Sequence, residues 1–438
     1  MAADVLVIGG GVAGLAATAA LGSAGWRVEL LEARPHLGGR ATSYALPNTG
    51  VIDNCQHILL RCCVNLLDFY GRMGVADRVE FGQDIPFLEP GGRVSHFRRG
   101  VLPAPLHFTE SFLGMSFLSW PDKICVARGF LAILWERGRR QDLEEISMLD
   151  WLREKGQSPS AIERFWRQVL VSAINEELDR MAAIHGFQVF WLGFLASSTS
   201  YEMGVPTVPL VELYTSSAWE KMPGVSIQLR QPVERVLVED GVARGVVVNG
   251  EVRRAKAVVS AVPFEKAAAL APEAGIDVSA FTHSSITGIH FWFDRPVTNL
   301  PYGTLLDRNL QWFFAKDGGR YLKLVVSASK PWLKLPRQQV IDLALAELAE
   351  FLPVVREATL ENAQVVKEAR ATYSALPGLG KHRPGNRTKL DNFVLAGDWT
   401  RSGWPSTMEG AARSGYLAAE AVTEILGRPQ RFLLPDIA

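Results

Sequence analysis

The sequence contains little cysteine, no surplus of either charge and no long uninterrupted apolar run. The 46 lysines and arginines equal the 46 aspartates and glutamates, and no basic block stands out, so we expect no nucleic-acid partner. No apolar stretch reaches the length of a transmembrane helix. The cysteines, Cys55, Cys62, Cys63 and Cys125, match neither a zinc-binding spacing nor a disulfide framework. Because the N-terminus enters an apolar strand without a signal peptide, we expect a cytoplasmic protein.

What the sequence does contain is a glycine-rich turn close to its N-terminus. An apolar, β-branched run at Val5–Ile8 predicts a buried parallel strand. Gly9, Gly11 and Gly14 follow in the G-x-G-x-x-G pattern, and residues 15–24 predict an alanine-rich helix. In this pattern the first glycine allows a sharp bend, the second lets the backbone approach a pyrophosphate, and the third lets the helix pack close to the sheet.

A second predicted strand, residues 27–31, ends at Glu32. This is about the spacing at which an acidic side chain accepts a hydrogen bond from an adenosine ribose hydroxyl. The glycine pattern alone also fits an ordinary turn of an α/β protein. The strand before it, the helix after it and Glu32 together indicate a dinucleotide-binding site.

Another glycine-rich turn follows Glu32 and runs through Gly38, Gly39 and Arg40. It resembles the turn that follows the ribose-binding acid in the superfamily of flavin amine oxidases and phytoene desaturases, where it lies beside the FAD diphosphate and ribityl chain. A nicotinamide dehydrogenase has no need of this turn, so the resemblance implies FAD rather than NAD. The FAD contacts implied outside the C-terminal region are Gly9, Gly11, Gly14, Glu32, Ala33, Arg34, Gly39, Arg40 and, through its backbone at the adenine edge, Val233.

A third motif lies near the C-terminus, where a predicted strand ends in Gly397 and Asp398. Asp398 can accept a hydrogen bond from a ribityl hydroxyl. The first amides of the next helix, at Thr407 and Met408, can meet the negative N1–C2=O edge of a reduced flavin. Because no cysteine follows Cys125, the cysteinyl-flavin bond of some amine oxidases cannot form at its usual C-terminal place, and we expect non-covalent FAD.

Four longer segments narrow the resemblance. Residues 53–60, 165–176, 205–214 and 397–410 are similar to those of the squalene-associated FAD-dependent desaturase family, whose members are hydroxysqualene dehydroxylases of bacterial hopanoid pathways. The similarity covers nearly the whole chain. One departure is Cys55, which stands where the family pattern has glycine. A positive φ at this position would strain a cysteine.

The narrower resemblance implies reductive removal of the hydroxyl of hydroxysqualene to give squalene, with reduced FAD as the hydride donor. An allylic alcohol ionises when its leaving oxygen is protonated and water is excluded, so the site needs an acid and a dry aromatic channel. Asp53, Gln56 and His57 are candidates for the polar end of the site, because their loop is expected to face the isoalloxazine ring. His57 and Asp53 are the alternative acids, and a purely structural loop is the third possibility. Asn175 and Glu176 are more typical of hydrogen bonding at a helix end.

Other chemistries stay open at this point. Carotenoid-type desaturation and amine oxidation occur in the same superfamily, and a flavin-bearing binding protein without turnover is a further alternative. The sequence has no second dinucleotide fingerprint, so the electron donor is either a separate reductase or NAD(P)H bound without a recognisable motif. Aromatic residues in 291–293 and 312–314 can wall a substrate channel or pack in a core.

Two segments, residues 106–135 and 187–195, are unusually rich in large apolar side chains. Amphipathic helices that cover a core explain such segments. The alternative is a monotopic surface that enters the lipid interface and admits an apolar substrate. This second interpretation would place the protein peripherally on the inner membrane.

We therefore predict an α/β fold, in which a discontinuous Rossmann-like FAD-binding domain carries an inserted α+β substrate domain of the flavin amine oxidase type. Residues 208–221 predict a helix. The predicted segments are 1–75, 206–283 and 386–427 for the FAD-binding domain, 76–205 and 284–385 for the substrate domain, and 428–438 for a C-terminal tail.

Overall fold

The structure, a computed structural model, describes residues 3–47 and 50–437. Its strands, in chain order, are β1 (Val5–Ile8), β2 (Val28–Leu31), β3 (Ser43–Leu46), β4 (Gly50–Asp53), β5 (Leu59–Leu60), β6 (Val79–Gly82), β7 (Ile85–Leu88), β8 (Val94–Phe97), β9 (Met203–Pro206), β10 (Val225–Gln228), β11 (Val233–Glu239), β12 (Val242–Val248), β13 (Glu251–Arg254), β14 (Ala257–Ser260), β15 (His283–Phe293), β16 (Tyr302–Leu305), β17 (Trp312–Lys316), β18 (Tyr321–Val326), β19 (Leu360–Tyr373) and β20 (Phe393–Leu395).

The α-helices are α1 (Val12–Ser23), α2 (Val64–Arg72), α3 (Thr109–Gly114), α4 (Trp120–Glu136), α5 (Met148–Glu154), α6 (Pro159–Ala161), α7 (Gln168–Ile174), α8 (Ala183–Phe190), α9 (Phe264–Leu270), α10 (Arg337–Phe351) and α11 (Met408–Ile425). Two π-helical turns continue α6 and α8 at Ile162–Arg167 and Trp191–Leu195. Short 3₁₀ turns lie at Ala76–Arg78, Leu210–Leu213, Ser217–Lys221, Pro272–Ala274, Asp317–Gly319, Lys330–Lys334, Pro353–Arg356 and Leu379–His382.

A five-stranded parallel sheet in the order β10-β2-β1-β14-β20 forms the first layer. The central strand β1 is fully buried, as its unbroken apolar sequence predicts for a strand covered on both faces. Helices α1 and α11 pack side by side, and a Cβ at Gly415 would lie 2.3 Å from the Ala13 carbonyl oxygen. The small residues of α11 therefore allow this close packing, and the α/β fold class is confirmed.

A seven-stranded sheet in the order β19-β15-β18-β17-β16-β7-β8 forms the second layer. Its longest strands, β15 and β19, pair antiparallel along nearly their whole length. Helices α4 to α8 enclose an aromatic core in which Trp151, Trp166, Phe187 and Phe190 are fully buried. This layer and its helices carry the apolar part of the cavity described below.

The strands of the two sheets follow the predicted domain segments. All five parallel strands come from residues 1–75, 206–283 and 386–427, and the second sheet takes its strands from 76–205 and 284–385, with β15 beginning one residue earlier. The exact domain boundaries stay a prediction, and residues 1 and 438 at its ends lie outside the described residues. The tail is held in place, because the Leu434 amide donates to Asn65 Oδ1 at 2.8 Å.

One predicted helix is wrong. Residues 208–221 form two separate 3₁₀ turns, Leu210–Leu213 and Ser217–Lys221, rather than one α-helix. The first turn begins directly after Pro209, and its first amide, at Leu210, donates to Asp53 at 3.0 Å. The Ser216 hydroxyl donates to the Met73 carbonyl at 2.6 Å and accepts from the Ala218 amide. These side-chain and backbone partners replace the bonds that a continuous helix would make.

Candidate functional site

One cavity of about 920 Å³ runs from the carboxyl ends of the parallel strands into the aromatic core of the second layer. Its size lies at the upper end of the range of about 300–1,000 Å³ typical of ligand pockets. The carboxyl edge of a parallel sheet is also where ligands bind in open α/β folds. All residues that the sequence predicts to contact FAD line this cavity except Gly14, which lies beneath it in α1.

The glycines of the N-terminal turn allow backbone segments to approach each other closely. Gly9 has φ +104°, and a Cβ at Gly14 would lie 2.0 Å from the Gly9 carbonyl oxygen. Gly11 forms a β-bridge with Gly38, and a Cβ at Gly39 would lie 3.1 Å from the Gly11 Cα. The two glycine turns therefore face each other closely, and their bare backbone leaves room for a diphosphate between the sheet and α1.

Glu32 stands at the end of β2 and holds the glycine turn. Its Oε2 accepts from the Gly10 amide at 2.6 Å, and its Oε1 accepts from the Arg34 amide at 2.7 Å. The Glu32 carbonyl accepts from the Gln231 amide at 2.8 Å, which brings the start of β11, with Val233, to the same end of the cavity. Each carboxylate oxygen has a second lone pair, so Glu32 can still accept from a ribose hydroxyl.

Arg40 and Asp398 join the N-terminal and C-terminal motifs by an ion pair with a 2.6 Å distance between Nη2 and Oδ1. Arg40 also donates to the Ala371 carbonyl at 2.8 Å, and the Ser406 hydroxyl donates to Asp398 Oδ2. Burial opposes ionisation of Asp398, but the Arg40 guanidinium outweighs it and holds the pKa of this carboxyl below its usual range. Asp398 is therefore an anion that can accept a hydrogen bond from a hydroxyl, as a contact with the ribityl chain requires.

The N-terminus of α11 faces the same region. Thr407 caps the helix, because its Oγ1 accepts from the Gly410 amide at 3.0 Å, and Met408 begins it. Both residues line the cavity, so the positive end of the helix dipole points at the place predicted for the flavin N1–C2=O edge.

Arg383 is a buried residue that the sequence analysis missed, and it fixes the segment after Asp398. Its guanidinium donates to the carbonyls of Asp398, Thr400 and Trp404 at 3.0, 2.5 and 2.7 Å. An arginine in a stretch rich in basic and polar residues gave no sign that it is buried. Arg383 therefore fixes the backbone of residues 398–404, which follow the predicted flavin contact Asp398.

Asp53 does not belong to the described residues that line the cavity. It ends β4, forms a buried ion pair with Lys323, and accepts from the Ser43 hydroxyl at 2.6 Å and the Leu210 amide at 3.0 Å. Burial opposes its ionisation, but Lys323 outweighs burial and lowers the pKa of Asp53. An ionised, fully bonded carboxylate outside the cavity is a poor proton donor, so this placement favours the structural alternative for Asp53.

Cys55 adopts φ +63°, so this position has the left-handed backbone that would suit glycine. Gly288 on β15 makes room for it, since a Cβ at Gly288 would lie 3.0 Å from Cys55 Sγ. Burial raises the pKa of the Cys55 thiol to about 12. The thiol therefore stays protonated at neutral pH and is not a nucleophile toward a bound flavin.

Gln56 and His57 line the cavity, as the sequence predicts for the polar end of the site. Gln56 Oε1 has no hydrogen-bond partner among the described residues, and its Nε2 donates to the His57 carbonyl at 3.2 Å. His57 Nδ1 lies 3.3 Å from the Cys55 carbonyl oxygen. Burial lowers the pKa of His57, so its imidazole is neutral at pH 7. A neutral imidazole is a weaker acid for an alcohol than an imidazolium.

Glu368 on β19 is a second residue that the sequence analysis missed. It lines the cavity beside the Gln56 loop, and its Oε2 accepts from Asn54 Nδ2 at 3.2 Å. Asn54 also donates to the Arg40 carbonyl at 2.9 Å, which links Glu368 to the glycine turn. β19 has no regular alternation of buried and exposed residues, so the sequence did not indicate which of its side chains enter the cavity.

Asn175 ends α7 with φ +61°. Its Nδ2 donates to Thr372 Oγ1 at 2.9 Å, and its Oδ1 accepts from the Ala328 amide at 2.7 Å. Glu176 Oε1 accepts from Arg180 Nε at 3.2 Å. The prediction of hydrogen bonding at a helix end is confirmed for Asn175.

The part of the cavity beyond Gln56 is lined mainly by aromatic and aliphatic side chains. Trp312 and Phe314 line it, whereas Phe291 and Phe293 are buried in the core of the second layer. Of the two aromatic segments, one therefore borders the cavity and the other packs in the core. The aromatic residues of the lining are Phe87, Phe97, Phe108, Phe112, Phe130, Phe165, Phe190, Phe194, Trp312, Phe314 and Trp404.

Comparison with known proteins agrees with this geometry. Curated relatives include the 15-cis-phytoene desaturase of Solanum lycopersicum, 26% identical over 98% of this chain and 80% of the relative. They also include the probable zeta-carotene desaturase of Synechococcus elongatus, 25% identical over 96% of this chain and 98% of the relative. Among solved structures, the cyclohexylamine oxidase of Brevibacterium oxydans has a TM-score of 0.70 at 17% identity, over 98% of this chain and the whole of that one.

A family profile described as flavin containing amine oxidoreductase matches residues 12–423. The match begins directly after Gly11 and spans Gly14, the second glycine turn, the Arg40–Asp398 ion pair and the N-terminus of α11. The chain therefore belongs to the flavin containing amine oxidoreductase family, and FAD, held without a covalent bond, is its cofactor.

Proposed function

We propose that this protein is an FAD-dependent oxidoreductase of long linear isoprenoids. The observation that carries the proposal is the continuity of one cavity, in which the FAD-binding motifs open into a long, mainly aromatic and aliphatic channel. An apolar chain has no charged groups to bind, so such a channel suits a hydrocarbon better than a free amine. Both named desaturase relatives act on isoprenoid hydrocarbons by their names.

The relatives favour desaturation of a carotenoid-type hydrocarbon as the reaction. Bound FAD would supply hydride transfer at its N5 atom. The chain's own residues would align the substrate in the aromatic channel and exclude water from the reacting carbon atoms. Desaturation removes a hydride and a proton, so a base near the flavin end, such as Glu368, is needed to accept the proton.

Dehydroxylation of hydroxysqualene is the second candidate, because three of the four segments of narrower similarity, 53–60, 165–176 and 397–410, contribute residues to the cavity lining. Gln56, His57, Asn175 and Thr407 all come from these segments and line the cavity. Gln56 Oε1 has no hydrogen-bond partner within the described residues, so it can accept a hydrogen bond from a substrate hydroxyl. A hydrocarbon offers no such partner, so this polar end favours an alcohol substrate.

In the dehydroxylation, the C–O bond breaks as the hydroxyl takes a proton and leaves as water, and the carbon then receives the hydride. We assign the delivery of that proton to Glu368, whose side chain lines the cavity beside the Gln56 loop. Neutral His57 is better suited to accept a hydrogen bond and orient the hydroxyl. Aromatic side chains of the channel stabilise the allylic cation before it is quenched.

Two anaerobic half-reactions separate the candidates. Oxidised enzyme is mixed with phytoene, and bleaching of the flavin together with a longer conjugated polyene supports desaturation. Dithionite-reduced enzyme is mixed with hydroxysqualene, and flavin reoxidation with squalene formation supports dehydroxylation. A third assay in air tests amines: hydrogen peroxide release with an amine, together with no response in either anaerobic half-reaction, would contradict an isoprenoid substrate.

A further inference from the structure

The large apolar side chains that stay exposed are concentrated in one part of the molecule. Of the 15 such residues in the described chain, nine lie between Val101 and Trp135. Isolated exposed apolar residues are ordinary, but a contiguous patch marks a surface that contacts another apolar phase. We call this set the apolar rim: Val101, Leu102, Leu106, Leu113, Trp120, Ile124, Leu131, Leu134 and Trp135.

Helix α4 supplies most of the apolar rim. Trp120, Ile124, Leu131 and Trp135 follow the spacing of four, seven and four residues that places side chains on one helix face. Trp120 is 65% exposed and Trp135 is 69% exposed. Val126 and other residues of the opposite face are buried against the aromatic core. The helix therefore carries apolar residues on its outer face as well as on the face that packs against the core.

The apolar rim surrounds an opening of the cavity. Leu106, Leu131 and Leu134 are exposed to solvent and also line the cavity. Ala127 and Phe130 of the same helix form its inner wall. Side chains of α4 therefore belong both to the exposed apolar face and to the cavity wall, so apolar residues continue from the surface into the channel.

Basic side chains flank the apolar rim. Arg98, Arg99 and Arg128 are exposed, and Arg128 lies within the α4 face between Ile124 and Leu131. The Arg139 guanidinium lies 4.4 Å from the centre of the Trp135 ring. Its position, like that of Lys123 Nζ at 5.0 Å from the Trp120 ring, resembles the pairing of cations and tryptophans at membrane interfaces.

The acidic residues of α4 are turned away from this face. Asp122 accepts from the Ser119 and Ser158 hydroxyls, and Glu136 accepts from Trp151 Nε1 at 2.9 Å and pairs with Lys155. Glu110 is the exposed acid between Val101 and Trp135. Within residues 98–139 the exposed basic residues, Arg98, Arg99, Arg128, Arg137 and Arg139, outnumber the exposed acidic residue Glu110, and this charge is complementary to an anionic surface.

No helix within residues 3–47 and 50–437 is long and apolar enough to cross a bilayer. We propose that the apolar rim docks on the surface of a lipid bilayer that contains anionic headgroups, with Trp120 and Trp135 in the interface. Docking places the cavity opening in the acyl region, so a substrate dissolved in the membrane enters the channel directly. The route for the substrate rests on the proposed function, but the docking itself does not.

The test is co-sedimentation of the FAD-loaded protein with vesicles of phosphatidylcholine alone or mixed with phosphatidylglycerol. We expect the wild type to bind the mixed vesicles more tightly. The double variant Trp120→Gln/Trp135→Gln should bind both kinds about tenfold or more weakly, since a large apolar side chain contributes about 1.5–3 kcal/mol on leaving water. Arg128→Gln should weaken binding to the mixed vesicles by about fivefold and leave binding to phosphatidylcholine unchanged, since each basic residue contributes about 1 kcal/mol at an anionic surface.

Leu343→Gln is the matched control, because Leu343 is an exposed apolar residue on α10, outside the apolar rim. It should bind vesicles like the wild type. Brominated lipids should quench the tryptophan fluorescence of the wild type more than that of the double variant. Equal vesicle binding by the wild type, the double variant and the control would overturn the proposal.

A second copy of the chain is the competing occupant of the apolar rim. A wild-type dimer that the double variant converts to a monomer, without vesicle binding by either, would also overturn the proposal. Failure of the proposed function gives a different result: vesicle binding would persist, but no isoprenoid would change the flavin spectrum in detergent solution. Docking without function and function without docking are therefore distinguishable.

Discussion

The two ends of the cavity are built in different ways. At the adenine end, backbone atoms make most of the contacts. The glycines of the two turns approach each other closely, and Glu32 accepts hydrogen bonds from the Gly10 and Arg34 amides. At the flavin and substrate end, side chains from distant parts of the chain meet, as Arg40 and Asp398 do across 358 positions of sequence. The first end depends on steric room, and the second depends on charge pairing and strand register. Substitutions at the two ends should therefore affect different properties of the protein.

The largest effect on FAD affinity is expected at the adenine end. Gly14→Ala places a methyl group 2.0 Å from the Gly9 carbonyl oxygen, and neither backbone segment can move without opening the turn. We expect FAD affinity to fall by about 100-fold or more, since overpacking against backbone costs about 3 kcal/mol. Isothermal titration of the apoprotein with FAD measures this.

Gly71→Ala is its control, because a Cβ there meets nothing within 4 Å in the described structure. Gly71 lies in α2, so this variant should bind FAD normally and gain slight helix stability. Unchanged FAD affinity in Gly14→Ala would show that the turn is looser than its geometry indicates.

The largest effect on stability is expected at the buried Asp53–Lys323 pair, which lies outside the cavity lining. Lys323→Met removes the partner of Asp53 and leaves a buried carboxylate, since the two side chains are 9% and 6% exposed. Breaking such a pair costs about 3–5 kcal/mol of unfolding free energy. Urea denaturation followed by circular dichroism checks the value. The double variant with Asp53→Asn should recover part of the loss, and a single-variant cost below about 1 kcal/mol would contradict the buried pair.

Turnover rates should distinguish the roles of Glu368 and His57, two polar residues that line the cavity. Glu368→Gln should lower single-turnover flavin oxidation or reduction by about 100-fold, because proton transfer by a positioned group contributes about 10²–10⁴. His57→Gln keeps a hydrogen-bonding group and should cost less. Rapid-mixing absorbance on FAD-loaded variants measures both rates. If His57→Gln is the slower variant, the assignment of the proton to Glu368 is wrong.

Stability should decrease as the solution becomes acidic. Burial opposes ionisation of Asp398 and Asp53, yet their basic partners Arg40 and Lys323 lower both pKa values. A carboxyl whose folded pKa is depressed adds stability above its unfolded value, about 3.9, and this stability is lost as pH falls below that value. Thermal melting at descending pH checks the sign. Asp398→Asn should flatten the acid limb, and an unchanged limb would contradict the ion pair.

The smallest effect concerns the backbone at position 55. Cys55→Gly should be more stable than Cys55→Ala by about 1 kcal/mol, because both lack the thiol and only glycine adopts φ +63° without strain. Chemical denaturation of the two variants gives the difference. An alanine variant as stable as the glycine variant would show that this position relaxes out of the left-handed region.

The sequence predicts the adenine end well because its signals are local. The signals lie within a few tens of residues: the strand at Val5–Ile8, the glycines of the turn and Glu32. The strand is buried, and the glycines lie where backbone segments approach closely. The resemblance to flavin enzymes also extends this prediction to Asp398 and the α11 N-terminus, which lie where it implies.

The flavin and substrate end could be predicted only in part. Nothing in the sequence indicates that Lys323 pairs with Asp53 or that Glu368 enters the cavity, because strand register decides both. The sequence also does not show that Arg383 is buried against three carbonyls. The apolar segment at 106–135 was ambiguous, since core helices and exposed apolar helices have the same composition, and only the exposure of Trp120 and Trp135 separates them.

The central claim is that FAD and an isoprenoid chain share one cavity. The most direct measurement is the flavin absorbance of oxidised enzyme during titration with squalene in detergent, with tryptophan fluorescence recorded in the same sample. We predict a saturable change of the flavin bands that parallels the fluorescence change. Squalene binding that alters the fluorescence and leaves the flavin bands untouched would contradict the claim.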